Sequence, residues 1–275
     1  MAKACDAGAL KAKSKELRKD ILTMITKGGS GHPGGSLSSV EILMVLYNCF
    51  LRFDPKNPNW PDRDRFILSK GHGCSALYAV LSDCGFFPHE ELWSFRKLGA
   101  RLQGHVDRRV PGVELSTGSL GQGLSVANGM ALAAKLDRKS YRVYALLGDG
   151  EMDEGSVWEA VETAGFRHLD NLCALVDANG IQQNGPVRTI RDLEPLADKL
   201  RDFGWHVLEI DGHDIQAVFD AYEEAARTKG KPTFIIARTK KGKGVSFMEG
   251  QHKWHGKAPT EAELQKALAE ISGDA

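Results

Sequence analysis

Five short hydrophobic runs, separated by stretches with helical periodicity, constrain the fold of this chain most. The runs are rich in aliphatic and β-branched residues and are bounded by Gly, Asp and Asn, which is typical of buried parallel strands. They occupy residues 65–69, 141–147, 172–176, 205–210 and 233–239. Strands that alternate with helices predict a doubly wound α/β domain, in which helices cover both faces of a mostly parallel five-stranded sheet.

The helices are predicted from apolar residues at helical spacing and from capping residues at their starts. Ser36 is expected to cap a helix over residues 38–50, and Thr260 is expected to cap the C-terminal helix. The other predicted helices cover residues 8–28, 75–84, 89–97, 122–136, 155–167, 192–203 and 215–227.

Composition indicates one globular domain over residues 1–275. The chain is 42% hydrophobic and 26% charged, and no Pro/Ser-rich linker or internal repeat divides it. Lys+Arg and Asp+Glu balance at 36 each, so no net field favours nucleic acid or an anionic membrane, and neither is expected as a partner.

The sequence also predicts a cytoplasmic protein. Residues 1–6 lack the apolar core of a signal peptide, and no stretch of 18 apolar residues exists. The five cysteines, Cys5 among them, form no Cys-x-x-Cys pair and are odd in number, which favours a reducing compartment.

Polar residues follow two of the predicted strands. Gly148-Asp149-Gly150 ends one strand and Asp177-Ala178-Asn179 ends another, so Asp149 and Asn179 are expected side by side at the carboxyl ends, where α/β sheets bind ligands. One carboxylate and one amide oxygen carry too little charge for a calcium cage. They suit Mg²⁺, which fills its octahedron with phosphate oxygens and water. The pair predicts a metal that carries a diphosphate, although Gly-Asp-Gly alone is also typical of a simple turn.

Four loops place Gly beside His. Histidine can hydrogen-bond a phosphate or a substrate hydroxyl, and flanking glycines let a ligand approach the backbone, so the four loops together favour a binding site. A zinc site is disfavoured because the spacings match no zinc motif and His-Glu-x-x-His is missing. The loops are Gly31-His32-Pro33-Gly34, Lys70-Gly71-His72-Gly73, Gly104-His105 and the segment 252–256.

Two further segments are candidates for anion binding. Residues 116–123 open a helix whose free N–H groups can meet an anion. The segment matches neither the P-loop, since no Lys follows Gly123, nor Gly-x-Gly-x-x-Gly, so it indicates neither a nucleoside triphosphate nor NAD. The lysine-rich segment 240–244 is more typical of a solvated charge run than of a phosphate clamp.

Taken in order, these motifs resemble the N-terminal, diphosphate-binding domain of transketolase. The resemblance covers about residues 10–260 and is specific because several independent motifs occur in one order. They are Gly-His-Pro-Gly-Gly at 31–35, Leu-Ser-Lys-Gly-His at 68–72, Ser-Thr-Gly-Ser-Leu-Gly-Gln-Gly at 116–123, Gly-Asp-Gly-x-x-x-Glu-Gly at 148–155 and His-Gly at 255–256.

The resemblance implies thiamine diphosphate held through Mg²⁺, with Ca²⁺ or Mn²⁺ as substitutes, and transfer of a two-carbon ketol unit between sugar phosphates. It implies Asp149, Asn179 and the main-chain oxygen of Ile181 as metal ligands. His32 and His105 are implied as catalytic residues that face the reacting carbon, and Glu154 as part of a carboxylate network at a subunit interface. Besides the metal ligands, the implied cofactor contacts are His72, Ser119, Leu120, Gly121, Gly148, Gly150, Glu151 and His255.

Two departures from the family pattern bear on activity. Position 119 is Ser where full-length members often have Pro, and the chain stops before the pyrimidine-binding and C-terminal domains. The resemblance therefore predicts the N-terminal subunit of a split transketolase that is active only with a C-terminal subunit, as a heterotetramer of two of each. The motifs leave open whether it serves the pentose phosphate pathway or a specialised sugar route in carbohydrate metabolism.

Two alternatives remain at this point. One is an alpha subunit of a thiamine-dependent 2-oxo acid dehydrogenase or decarboxylase, against which Gly-His-Pro-Gly and Leu-Ser-Lys-Gly-His favour transketolase. The other is a non-catalytic regulatory paralogue, in which loss of ligand residues is expected, whereas the implied ligands are all present.

Overall fold

Five strands, all paired in parallel, run through the centre of the fold in the spatial order β1-β2-β3-β5-β4. The computed structural model describes residues 6–273, so Cys5 and the two ends of the predicted 1–275 domain lie outside the described residues. The predicted strands are confirmed to within about two residues at each end. They are β1 Arg65–Leu68, β2 Val143–Gly148, β3 Leu172–Ala178, β4 His206–Asp211 and β5 Thr233–Arg238.

Alternation along the strands divides the apolar side chains between two hydrophobic cores, one on each face of the sheet. In β2, Tyr144 and Leu146 belong to one core, whereas Val143, Ala145 and Leu147 belong to the other. Because both faces are covered, a central strand is hydrophobic at nearly every position, which explains the continuous runs in the sequence.

Helices supply the outer layer of both cores. Helices α1, α3, α4, α9 and α10 contribute to the core that contains Tyr144, and α5, α6 and α8 to the core that contains Val143. The helices are α1 Ala7–Gly28, α2 Pro33–Leu37, α3 Val40–Val45, α4 Cys74–Asp83, α5 Gly123–Leu136, α6 Gly155–Phe166, α7 Val187–Ile190, α8 Leu196–Asp202, α9 Ile215–Arg227 and α10 Glu261–Ser272. Thr260 caps α10 in a capping box with Glu263, as predicted.

The predicted helix over residues 38–50 is interrupted, and Ser36 is not its cap. Ser36 lies inside α2, whose first residue is Pro33, a favoured residue at that position. The interruption falls at Ser38 and Ser39. The Ser39 hydroxyl donates to the Gly35 carbonyl at 2.8 Å, and such side-chain bonds compete with the helical ladder. After α3 the chain makes a π-helical turn, Leu46–Phe50.

Two other predicted helices are shorter than expected. The segment predicted over 89–97 is a 3₁₀ helix, His89–Ser94. The helix predicted over 192–203 begins only at Leu196. The proline ring of Pro195 disfavours helical backbone angles at the residue before it, so the helix cannot start earlier. The short helix α7 lies between β3 and α8, where no helix was predicted.

Within residues 6–273, none of the helices combines the length and apolar character that a bilayer span requires.

A buried ion pair fixes α1 against α3. Arg18 Nη1 lies 2.7 Å from Glu41 Oε1, and His213 Nδ1 lies 3.0 Å from Glu41 Oε2. Burial raises the pKa of Glu41, but the hydrogen bonds and charges of His213 and Arg18 outweigh it and lower the pKa to about 2. The folded state therefore holds this carboxylate charged.

We expect Arg18→Leu to lower the free energy of unfolding by about 3 kcal/mol, because it leaves a buried carboxylate with only an imidazole partner. Urea denaturation measures the loss. The matched control is Arg227→Leu. Arg227 pairs with Glu223 on the surface and is 74% exposed, so its loss should stay below about 0.5 kcal/mol.

The pH dependence gives a second check on the same pair. A depressed carboxylate pKa contributes stability that is present above its ordinary value of 4.5 and lost as the pH falls towards about 2. The stability gap between the wild type and Arg18→Leu should therefore narrow across that window. Equal losses in Arg18→Leu and Arg227→Leu at pH 7 would contradict the assignment.

Candidate cofactor-binding site

Most of the predicted site residues line one cavity of about 420 Å³ at the carboxyl ends of β2 and β3. The strands deliver the Gly-Asp-Gly and Asp-Ala-Asn segments there in register, with Gly148 opposite Asp177. The predicted residues that line the cavity are His32, His72, His105, Leu120, Gly148, Asp149, Gly150, Glu151, Glu154, Asn179, Ile181 and His255.

Ser119 and Gly121 are the predicted site residues that do not line this cavity. Ser119 is exposed. Gly121 is buried with a φ of +84°, and its N–H donates to Glu151 Oε1 at 2.9 Å. Gly121 thus shapes the loop behind the cavity wall.

Glu151 uses its carboxylate to join three loops. It accepts hydrogen bonds from the Ser69 hydroxyl, the Gly121 N–H and, at 3.1 Å, the Gly148 N–H. Burial raises the pKa of this carboxyl group. Both oxygens are thus held by the protein itself, while the residue still lines the cavity, so its contact with a cofactor stays a prediction.

Oxygen atoms from the ends of β2 and β3 lie together at one end of the cavity. The Gly180 N–H donates to Asp149 Oδ2 at 2.6 Å, which ties the two strand ends to each other. Asn179 Oδ1 accepts from the Ile181 N–H at 3.1 Å. Burial and the neighbouring Asp177 raise the pKa of Asp149 to about 6, so a cation at this end would stabilise its charged form.

The oxygen atoms at this end of the cavity are suitable ligands for a hard divalent cation. One carboxylate, one amide oxygen and one main-chain oxygen are ligands that Mg²⁺ accepts when phosphate oxygens and water complete its shell. Across residues 6–273, no group of three or more His, Cys, Asp or Glu side chains is arranged to hold a metal ion.

Lys241 is the clearest cavity residue that the sequence interpretation missed. Segment 240–244 was predicted to be solvated, but Lys241 is only 2% exposed. Its Nζ lies 2.8 Å from the Ile181 carbonyl oxygen and 2.9 Å from His255 Nδ1. Burial lowers the pKa of Lys241 to about 8, while Asp149 acts in the opposite direction. The buried ammonium group is positioned to meet an anion beside the oxygen cluster.

Gly34 explains how the lysine stem reaches the cavity. A Cβ atom at Gly34 would lie 2.9 Å from Lys241 Cγ, so a larger residue would displace the stem. The glycine of the Gly-His-Pro-Gly loop and the lysine-rich segment therefore form one packing unit, although about 200 residues separate them in sequence.

A fully buried carboxylate, Asp177, lies behind the oxygen cluster. It forms an ion pair with Lys70, and the two side chains are 0% and 1% exposed. It also accepts hydrogen bonds from the hydroxyls of Ser38 and Thr239 and from Asn179 Nδ2 at 3.0 Å. Because Nδ2 donates to this carboxylate, Asp177 sets the orientation of the Asn179 amide, with Oδ1 on the opposite side of the amide group. Burial acts to raise the pKa of Asp177, but the Lys70 ammonium and the hydroxyls of Ser38 and Thr239 outweigh it and lower the pKa below its ordinary value, so the group stays charged.

Four imidazoles cluster in the same cavity, and one of them, His255, adjoins the Lys241 ammonium group. The His32 ring centroid lies 5.4 Å from that of His72, 5.5 Å from that of His105 and 5.5 Å from that of His255. Burial, with repulsion from His105, Arg96 and Lys241, lowers the pKa of His32 to about 4. Burial and Lys241 lower the pKa of His255 to about 3. The pKa values of His72 and His105 are also lowered, chiefly by burial.

The cluster is therefore neutral at pH 7, and its rings act as hydrogen-bond donors and acceptors rather than as fixed cations. His32 Nδ1 is buried and has no hydrogen-bond partner among the described residues. A ligand hydroxyl can supply that partner.

Comparison with known proteins decides between the families considered. The protein-family model that describes the thiamine diphosphate binding domain of transketolase matches residues 11–273. The chain belongs to the transketolase family. The match confirms the thiamine diphosphate-binding fold and favours transketolase over a 2-oxo acid dehydrogenase.

Relatives of similar length resemble this transketolase-family chain from end to end. It is 48% identical to the 6-deoxy-6-sulfo-D-fructose transketolase subunit of Clostridium sp. (strain MSTE9), over 95% of this chain and 96% of that protein. It is 41% identical to an apulose-4-phosphate transketolase subunit of Phocaeicola vulgatus, over 96% of this chain and 94% of that protein. The prediction of an N-terminal transketolase subunit is confirmed.

Longer transketolases contain the same unit as one part of their length. The crystal structure of transketolase from Campylobacter jejuni superimposes with a TM-score of 0.92 and 36% identity, over 98% of this chain and 43% of that one. Human transketolase is 41% identical over 96% of this chain and 42% of that protein. The chain thus spans about two fifths of the length of these transketolases.

Proposed function

We propose that this chain is the cofactor-binding subunit of a two-component transketolase. The complex would transfer a two-carbon ketol unit from a ketose phosphate donor to an aldose acceptor. The observation that carries the proposal is that one cavity holds an oxygen cluster, a buried ammonium group and a neutral histidine cluster. These are the groups needed for a metal, a diphosphate and a sugar, respectively.

Asp149, Asn179 and the Ile181 main-chain oxygen would hold Mg²⁺, with Ca²⁺ or Mn²⁺ as substitutes. Thiamine diphosphate, when bound, supplies the carbanion-stabilising chemistry of the reaction. The chain's own contribution at that end is charge compensation. A diphosphate carries about two to three negative charges, which the metal and the Lys241 ammonium offset, while the rings of His72 and His255 donate hydrogen bonds. Gly150, whose N–H donates to Asp149 Oδ1 at 2.8 Å, would lie beside the diphosphate.

His32 and His105 are the proposed catalytic residues at the sugar end. Since the pKa values of both rings are lowered, each ring is neutral at pH 7. A neutral ring can accept the proton of a substrate hydroxyl at one nitrogen, or donate a hydrogen bond to the hydroxyl oxygen from its N–H group. The unpartnered Nδ1 of His32 supports this role, because a buried polar atom without a partner is costly and a bound hydroxyl removes that cost.

The other half of the site is proposed to come from a second polypeptide. Glu154 lines the cavity and is exposed, so its carboxylate is available to a partner chain. We infer a C-terminal subunit with pyrimidine-binding and C-terminal domains, assembled as a heterotetramer of two of each chain in the cytoplasm. The relatives named as transketolase subunits support this assignment.

The substrate class is a sugar with an anionic terminus. One relative is named for a sulfonated ketose and another for a phosphorylated one. Both the pentose phosphate pathway and a specialised sugar route supply such substrates.

The test is reconstitution of the purified chain with its complementary subunit in the presence of thiamine diphosphate and Mg²⁺. We expect extension of an aldose phosphate by two carbons with the complex and no measurable turnover with either chain alone. Ketol transfer by this chain alone would contradict the split active site. Release of CO₂ from pyruvate would instead identify a 2-oxo acid enzyme, and a complex that turns over neither substrate would identify a regulatory paralogue.

A further inference from the structure

His105 lines the cavity although its own segment has no regular structure. Residues 101–110 contain no helix or strand, and His105 itself is exposed. A side chain that acts on a substrate has to be held within about 0.5 Å of its productive position. The main chain at His105 must therefore be fixed by contacts with another part of the protein.

Three hydrogen bonds tie this segment to residues 71–78, which form the turn before α4 and the first part of that helix. The bonds run from Cys74 Sγ to the Gln103 carbonyl at 3.5 Å, from the Tyr78 hydroxyl to the His105 carbonyl at 3.0 Å and from the Val106 N–H to the Gly71 carbonyl at 3.2 Å. Among the three, the bond from Tyr78 is the one made to His105 itself. It fixes the peptide group that follows the His105 Cα, and with it the direction in which the side chain leaves the main chain.

Tyr78 is held rigidly by the core. Its side chain is fully buried, and its ring contacts Phe95 edge-to-face with the ring centroids 6.3 Å apart. Burial raises the pKa of Tyr78 above its ordinary value, so the hydroxyl keeps its proton and acts as a donor. The donor is thus placed by the packing of α4 and not by the segment that it holds.

The His105 ring also contacts the glycine-rich loop. A Cβ atom at Gly118 would lie 3.3 Å from His105 Cδ2, so the ring packs closely against glycine backbone. With its main chain held by Tyr78 and its ring held by Gly118, His105 has its ring centroid 5.5 Å from that of His32. The relative position of the two proposed catalytic imidazoles therefore depends on the Tyr78 hydroxyl.

We propose that Tyr78 is a positioning residue for ketol transfer, which holds the His105 imidazole beside the substrate through the His105 main chain. This inference rests on the proposed function, in which His105 faces the sugar. Tyr78 does not line the cavity, so it acts through His105 and not by touching a ligand. A buried tyrosine hydroxyl also needs a hydrogen-bond partner for stability alone, so the experiments have to separate the two roles.

Tyr222 supplies a matched control. It is also fully buried in the core that contains Tyr78, and its hydroxyl donates to the Ile42 carbonyl at 3.2 Å. Ile42 does not line the cavity. Tyr78→Phe and Tyr222→Phe each remove one hydroxyl that bonds to a main-chain carbonyl, so both should lower the urea midpoint of unfolding by a similar amount. Only Tyr78→Phe should affect turnover.

The first experiment measures kcat for two-carbon transfer by the reconstituted complex. We expect Tyr78→Phe to lower kcat about tenfold, because a small displacement of a catalytic group is costly, while the affinity for thiamine diphosphate stays at the wild-type value. In a His105→Ala background the same substitution should change the residual kcat by less than about twofold, since residues that act as a unit are not additive. The same loss in both backgrounds would overturn the proposal. Unchanged kcat in Tyr78→Phe, or an equal loss in Tyr222→Phe, would also overturn it.

The second experiment separates this inference from the proposed function, because it needs no turnover. The full-length chain is prepared with isotopically labelled histidine, and the imidazole resonance of His105 is assigned by its loss in His105→Ala. We expect Tyr78→Phe to shift or broaden this resonance and to leave unchanged that of His206, which pairs with Glu224 far along the sequence. A His105 resonance that is identical in wild type and Tyr78→Phe, or that Tyr222→Phe changes equally, would overturn the proposal even where ketol transfer has been found. A change confined to Tyr78→Phe in a protein whose complex shows no ketol transfer would support the held position of His105 and contradict only the proposed function.

Discussion

Replacing Asp149 with alanine is expected to abolish metal-dependent retention of thiamine diphosphate by the assembled complex. Asp149 is the one carboxylate among the three proposed metal ligands, so its removal takes away the negative charge that attracts the cation. The affinity for thiamine diphosphate in the presence of Mg²⁺ should fall by more than about 100-fold. Loss of a residue that only supports a metal ligand already costs up to about 100-fold in metal affinity, and Asp149 is proposed as a ligand itself. The substitution also leaves the Gly150 and Gly180 N–H groups without their acceptor.

Calorimetric titration with thiamine diphosphate, with and without Mg²⁺, measures this loss. The control is Asp198→Ala on α8, where the carboxylate is 67% exposed and pairs with Arg201 on the same helix. It removes the same charge from the chain without touching the cavity, and binding should match the wild type. If Asp149→Ala retains the cofactor with an unchanged dependence on Mg²⁺, the metal assignment is wrong.

Asp177→Asn is expected to cause the largest loss of stability, about 3–5 kcal/mol in the free energy of unfolding, because it leaves the buried Lys70 ammonium without its counter-charge. The new amide group also points N–H donors at the hydroxyls and amide that now donate to Asp177. Urea denaturation of the purified chain measures the effect. Asp220→Asn, on the exposed face of α9, is the matched control, with an expected change within about 0.5 kcal/mol.

A double-mutant cycle with Lys70→Met isolates the ion pair from the other contacts of Asp177. The double variant should be less destabilised than the sum of the two single variants, with a coupling of roughly 0.5–3 kcal/mol. A stability for Asp177→Asn within about 1 kcal/mol of the wild type would show that this carboxylate is not charged in the folded protein.

The strands and most helices were predictable from the sequence because their patterns are local. The runs before Gly148 and Asp177 are apolar at almost every position, as both faces of the sheet are covered. Asp149 and Asn179 were placed together correctly, since parallel neighbours bring their carboxyl ends to one edge. The family motifs extended this to the histidine loops.

Lys241 could not be predicted in the same way. A run of lysines and glycines is locally compatible with solvent, and only the packing of its stem on Gly34 buries it. The break between α2 and α3 was missed for a similar reason. Apolar periodicity continues through Ser38 and Ser39, whereas their hydroxyls bond to Asp177 and Gly35, which are contacts that periodicity does not encode.

The three-loop junction at Glu151 bears on how such a protein can change its substrate. One carboxylate holds Ser69, Gly121 and Gly148, so substitutions near any of these loops are transmitted to the cofactor end of the cavity. The loop 96–102 makes none of these contacts, whereas Val106, which follows His105, donates its N–H to the Gly71 carbonyl at 3.2 Å. Substitutions in the loop 96–102 therefore leave the Glu151 junction intact, whereas substitutions next to His105 reach the loop that carries His72.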